Sequence, residues 1–170
     1  MKLLALLARA CAILAGVLLV CITALTVASV VGRSAFGSAI NGDFELAAFA
    51  AGAAVALFMP WCQLRRGNII VDFFTGGVTA RTREAMDRFG ALMLALVMGL
   101  MTWRTSLGGI NAWNTGSGSM MMGFPEWIVY LLMVPALALT TLIALMQTLR
   151  GFSEFDSVEA RSEHSTEQRV

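Results

Sequence analysis

Long stretches without one ionisable side chain dominate this sequence and limit what it can fold into. Residues 10–32 run for 23 positions without a charge, residues 46–64 for 19 and residues 127–149 for 23. As helices rising about 1.5 Å per residue these runs reach about 28–35 Å, matching a bilayer hydrocarbon core of about 30 Å. A fourth run, residues 89–103, has 15 uncharged positions. It is expected to complete its span by carrying Arg104 near an outer end, the guanidinium snorkelling to the headgroups while residues 105–110 finish the helix. Lipid requires every backbone polar group to be satisfied within the protein, and the runs are too long and continuous for barrel strands. The chain is therefore expected to be an all-α integral membrane protein with four transmembrane helices, over about residues 10–32, 44–64, 88–110 and 126–149.

Composition agrees. Hydrophobic residues make up 58% and charged residues 14% of the 170, with a mean hydropathy of +0.75, whereas soluble domains are about 45–50% apolar. Twelve Lys and Arg against eleven Asp and Glu leave a net charge of +1, so no basic face is available for nucleic acid. Ten of the twelve basic residues fall on one side of the expected membrane, in the N-terminus, the middle loop and the tail; only Arg33 and Arg104 fall on the other. By the positive-inside rule both termini are cytoplasmic. The first apolar run is longer than the core of a secretory signal, about 7–15 residues, and is expected to be kept as a helix.

Between the spans, residues 32–44 form a short external loop. The second helix is dense in small residues, and Ala47, Ala48, Ala51 and Gly52 suit close helix packing, either within the chain or against another subunit. Residues 65–88 hold a segment, 68–74, that is apolar but too short to span and is expected to lie at the cytoplasmic interface, with Arg65 and Arg66 at the phosphates. With Asp72 these residues read as topological and lipid-contacting. Residues 108–123 are rich in Gly, Ser and Asn and read as a flexible external loop. Glu126 opens the fourth helix, where a carboxylate favours the dipole, and Pro135 is expected to kink or weaken it. Residues 1–152 thus form the membrane domain, and the acidic stretch 153–170 is expected to be a disordered cytoplasmic tail.

The chemistry of most membrane enzymes and carriers is missing. The one histidine, His164, is in the tail, which excludes axial ligation of haem between helices and zinc proteolysis. Cys11 and Cys21 stand ten residues apart on one helix, about 15 Å, too far for a disulfide, and Cys62 lies near the reducing face. No cofactor, metal site or enzymatic activity is expected. The first, second and fourth spans carry no charge, so a coupling site of the kind ion-driven carriers place at mid-membrane is not expected either.

Four segments, Gly32-Arg33-Ser34-Ala35-Phe36-Gly37, Gly42-Asp43-Phe44-Glu45-Leu46, Arg65-Arg66-Gly67-Asn68-Ile69-Ile70-Val71-Asp72-Phe73 and Pro125-Glu126-Trp127-Ile128-Val129-Tyr130, together resemble the small permease subunit of tripartite ATP-independent periplasmic (TRAP) transporters, the DctQ-like family. Asn68 stands where that family often has a titratable His. The resemblance implies a multi-pass subunit of the bacterial inner membrane that pairs with a large permease subunit and a periplasmic substrate-binding protein, in a sodium-coupled importer of an organic acid, often a carboxylate. It also implies that the small subunit is a scaffold and the large one carries the ion and substrate sites. On that basis Arg33, Asp43, Glu45 and Glu126 are expected to form an external docking rim, with interfacial anchoring and helix-end charge as the plainer alternative for Arg33 and Glu45. The competing functions are a stand-alone homo-oligomeric four-helix transporter or channel and a non-transport membrane assembly factor.

Overall fold

In the computed structural model, residues 2–37, 41–65 and 80–150 are described; the apolar interfacial segment, Arg66, Asp72, Thr79 and the acidic tail lie outside them. Four helices account for nearly all of it: α1 (Lys2–Phe36), α2 (Asp43–Leu64), α3 (Ala80–Thr115) and α4 (Trp127–Arg150). Each contains a stretch long and apolar enough to cross a membrane, and among the described residues there is no strand, only an isolated bridge between Gly118 and Pro125. α2 and α4 continue as helices through Pro60 and Pro135.

The helices do not close into a ring. α3 packs on α4, α4 on α2 and α2 on α1, with a slight touch between α1 and α4, so that α1 and α3 occupy opposite edges. Register follows from the contacts. Ser29 meets Asp43 and Ala15 meets Leu57, which makes α1 and α2 antiparallel. Leu57 meets Ala136 and Gln63 meets Gln147, which makes α2 and α4 parallel. Gly99 faces Thr141 and Gly109 faces Tyr130, which makes α3 and α4 antiparallel.

Small side chains make these contacts close. Ala15, Leu57 and Ala136 form one buried cluster and Ala8, Leu139 and Ile143 another, beneath Trp61 and Leu64. Between membrane helices such packing works through dispersion and shape, because lipid is as apolar as leucine. Hydroxyls in the spans return their hydrogen to the preceding turn, as Thr140 does to the Ala136 carbonyl at 2.9 Å and Thr102 to that of Met98 at 2.7 Å, a local solution where no water is present. No buried side-chain nitrogen or oxygen lacks a partner among the described residues.

Two expectations change. α3 does not end at residue 110 but continues to Thr115, so the first half of the Gly/Ser/Asn-rich stretch is helix. The remainder is an ordered turn, in which Ser119 N–H donates to the Phe124 carbonyl and Glu126 N–H to that of Ser117. Gly108 and Gly109, which fall in both the expected span and the expected loop, are helical and let α3 approach Tyr130.

Candidate functional site: the outer rim and the α3 face

At the outer end two carboxylates hold the loops together. Asp43, the first residue of α2, accepts the Ser29 hydroxyl of α1 at 2.5 Å and the Phe44 N–H at 2.8 Å, and lies 4.0 Å from the Arg33 guanidinium. Two residues on, Glu45 accepts the N–H of Met120 at 3.1 Å and of Met121 at 3.2 Å. Ser119 supports the same turn from within, its Oγ accepting the N–H groups of Met122 and Phe124. Gly42 must be glycine here: its φ is +80° and a Cβ would strike the Met122 side chain.

The expected rim residues are therefore not equivalent. Arg33 and Asp43 come together, and the Arg33 side chain stays 59% exposed. Asp43 and Glu45 direct their oxygens to the chain itself. Glu126 precedes α4 and borders a cleft of about 230 Å³ with Ala48, Gly52 and Tyr130. Sequence reasoning missed the Met120-Met121-Met122 turn as a structured feature. Met120 is 99% exposed, a flexible thioether presented on a rigid base.

Of the small residues expected to pack, Ala48, Ala51 and Gly52 are exposed and Ala47 is half-buried; within the chain the tight contacts are made by Ala53, Ala54, Ala56 and Leu57. Ala48 and Gly52 instead border the cleft between α2 and the start of α4, where the two helices are not in close contact. At the inner end Arg65 stacks over the Trp61 ring at 4.9 Å, a cation–π contact that suits an interfacial arginine.

The largest departure concerns Arg104. In the α3–α4 register it lies between Thr102, whose hydroxyl is 3.4 Å from that of Thr141, and Gly109, which faces Tyr130. That places it level with about Ala136, near the middle of the span Trp127–Leu149 and of the Ala15–Leu57–Ala136 layer. Arg104 is exposed, and no hydrogen bond or ion pair reaches it among the described residues. Arg104 thus stands well inside the span Arg88–Thr115, not near its outer end as an α3 ending near residue 110 implies. An arginine at a bilayer centre costs about 2.5–3.5 kcal/mol on insertion scales, so its placement calls for a reason.

A cleft of about 500 Å³ opens between α3 and α4 in their outer half, lined by Trp113, Trp127, Tyr130, Ile110 and Ser106 among others. The two tryptophans meet edge to face at 4.8 Å and 78°, which fixes the level of the outer membrane boundary.

With this geometry in place, residues 22–154 match the family model described as tripartite ATP-independent periplasmic transporters, DctQ component. The chain belongs to the DctQ family. The match covers α2, α3 and α4 and the C-terminal part of α1, residues 22–36, so the four-helix fold and the family agree. No curated protein and no solved structure matches the chain. A DctQ subunit is a component of a TRAP transporter and a multi-pass membrane protein, and membership implies association with a large permease and a substrate-binding protein.

Proposed function

We propose that this DctQ subunit is the static, transport-silent scaffold of a sodium-coupled TRAP importer of an organic acid in the bacterial inner membrane. It braces the large permease subunit and offers its outer rim to the periplasmic substrate-binding protein. The open arrangement carries this reading. Helices that stand α1, α2, α4, α3 without closing on themselves surround no central axis along which a solute could pass, yet they present long apolar faces on which another membrane protein can rest. In the same picture Asp43 and Glu45 shape the rim by holding the α1–α2 and α3–α4 connections, while Arg33 and the Met120–Met122 turn meet the binding protein. Ala48, Ala51 and Gly52 line a stripe where a partner helix can approach closely.

The test is uptake of an organic-acid panel into liposomes under an inward sodium gradient. The purified chain alone should give none. Adding the large permease and the binding protein should establish uptake, and charge reversal by Glu45→Lys should weaken it by releasing the methionine turn. Transport by the lone chain would replace this reading with the homo-oligomeric carrier. Full uptake in the Glu45→Lys complex would remove the turn from docking.

A further inference from the structure

We infer that the face of α3 carrying Arg104 is where the large permease docks, and that Arg104 pairs there with a carboxylate set in the membrane interior of that permease. The inference rests on the scaffold reading and goes beyond it by naming the helix, the residue and the chemistry of the partner.

Met93, Val97, Leu100, Arg104 and Asn111 follow one another at three-, four- and seven-residue steps, so they share one face of α3, and all are exposed. The opposite side holds Gly99, Thr102 and Gly109, which meet Thr141 and Tyr130 of α4. Arg104 therefore points away from the rest of the chain, at the level of its middle layer. Both interfaces of a hydrocarbon core lie about 15 Å from such a depth, beyond the stem of an arginine, so snorkelling does not relieve it as it would a residue near a helix end.

The two edges of the fold differ in this respect. α1 presents Ile13, Val17, Val20 and Val27 and no charge between Arg9 and Arg33, for which lipid is an adequate neighbour. Between Met93 and Ile110 the exposed side of α3 is apolar except for one cation, Arg104, which needs an anion and a polar acceptor in the same place. A planar guanidinium matches a carboxylate by two parallel hydrogen bonds. A second copy of this chain would bring a second Arg104 to the same face, so self-association there is opposed by like charge.

The full chain, affinity-tagged and expressed with the large permease of its own transporter, is purified in mild detergent as wild type, Arg104→Leu, Arg104→Lys and, as an exposed control cation, Arg9→Leu. Permease recovered per mole of tagged chain should fall about tenfold or more for Arg104→Leu, the ratio that corresponds to 1.4 kcal/mol, fall less for Arg104→Lys, and stay unchanged for Arg9→Leu. The Arg104→Leu chain alone should remain monodisperse with undiminished yield, because leucine suits lipid. A scan of membrane-interior Asp and Glu in the permease, to Asn and Gln, should find one whose neutralisation reproduces the loss.

Wild-type recovery by Arg104→Leu overturns the inference. So does a loss explained by collapse of the Arg104→Leu chain on its own, or retention of permease with loss of a bound anionic phospholipid in native mass spectrometry, which would assign the guanidinium to a lipid phosphate. If no permease carboxylate reproduces the loss, the stated chemistry is wrong. If the wild-type chain recovers no permease, the scaffold reading itself fails, an outcome separate from all of these.

Discussion

Replacing Gly109 with isoleucine is expected to destabilise the helical assembly by about 1–3 kcal/mol, the usual range for forcing extra methylenes into a packed contact. A Cβ at this position would stand 2.9 Å from the Cβ of Tyr130. That neighbour is rooted on the α4 backbone and cannot swing aside, so the helices must separate. Separation would also open the Trp113–Trp127 edge-to-face contact at 4.8 Å, which makes tryptophan fluorescence a direct reporter of thermal unfolding in detergent. Two internal controls grade the effect. At Gly108 the nearest atom is on the Tyr130 ring at 3.2 Å, and at Gly99 it is a methyl of Thr141 at 3.5 Å; alanine should be mildly costly at the first and near neutral at the second. An isoleucine variant at residue 109 that unfolds at the wild-type temperature would show that α3 and α4 are not in close contact there.

The second large effect is expected at the inner end. Gln63 Nε2 donates to Gln147 Oε1 at 2.7 Å, Gln147 Nε2 donates to the Gln63 backbone carbonyl at 3.1 Å, and both side chains are fully buried. Gln147→Leu removes both bonds and takes from the buried Gln63 amide the acceptor it uses on α4, and a buried polar group that loses such a bond costs about 1–3 kcal/mol. Hydrogen bonds between membrane helices average only about 0.6 kcal/mol in double-mutant cycles. The penalty therefore comes mainly from the buried donor that loses the Gln147 oxygen, and the double variant Gln63→Leu/Gln147→Leu should recover part of the loss. The check is a four-member cycle of unfolding free energies in mixed micelles. Equal, additive losses at the two positions would mean that the pair is not coupled.

Much of the fold was legible because lipid imposes one requirement on every residue of a span. The absence of charge over 10–32, 46–64 and 127–149 locates α1, α2 and α4 without reference to neighbours. α3 was harder to read for the same reason: Arg104 broke the uncharged run and was read as lying near the outer end of the span. The residues after it, Thr105 to Trp113, are mild enough to continue a helix, but only the contacts of Gly99, Thr102 and Gly109 with α4 show how deep Arg104 lies. The carboxylates of the rim were visible as residues and their partners were not. Asp43 reaches fourteen residues back to Ser29 and Glu45 reaches 75 residues forward to Met120, and no periodicity encodes a pairing across a loop. The Ala-rich helix was read as packing through Ala47, Ala48, Ala51 and Gly52, while the face used within the chain is Ala53, Ala54, Ala56 and Leu57, because that depends on which helices flank α2. Gln63 and Gln147 each sit near the inner end of a helix, and their pairing appears only once α2 and α4 are neighbours.

A scaffold has no internal motion to lose. In a background with Cys11, Cys21 and Cys62 replaced by serine, the pair Gly99→Cys and Thr141→Cys joins α3 to α4 at a point where a Cβ on residue 99 lies 3.5 Å from the Thr141 methyl, close to disulfide geometry. Uptake by the reconstituted three-component transporter is then measured with this bond oxidised and again after reduction. The scaffold reading expects the same rate in both states; uptake that stops on oxidation and returns on reduction would contradict it.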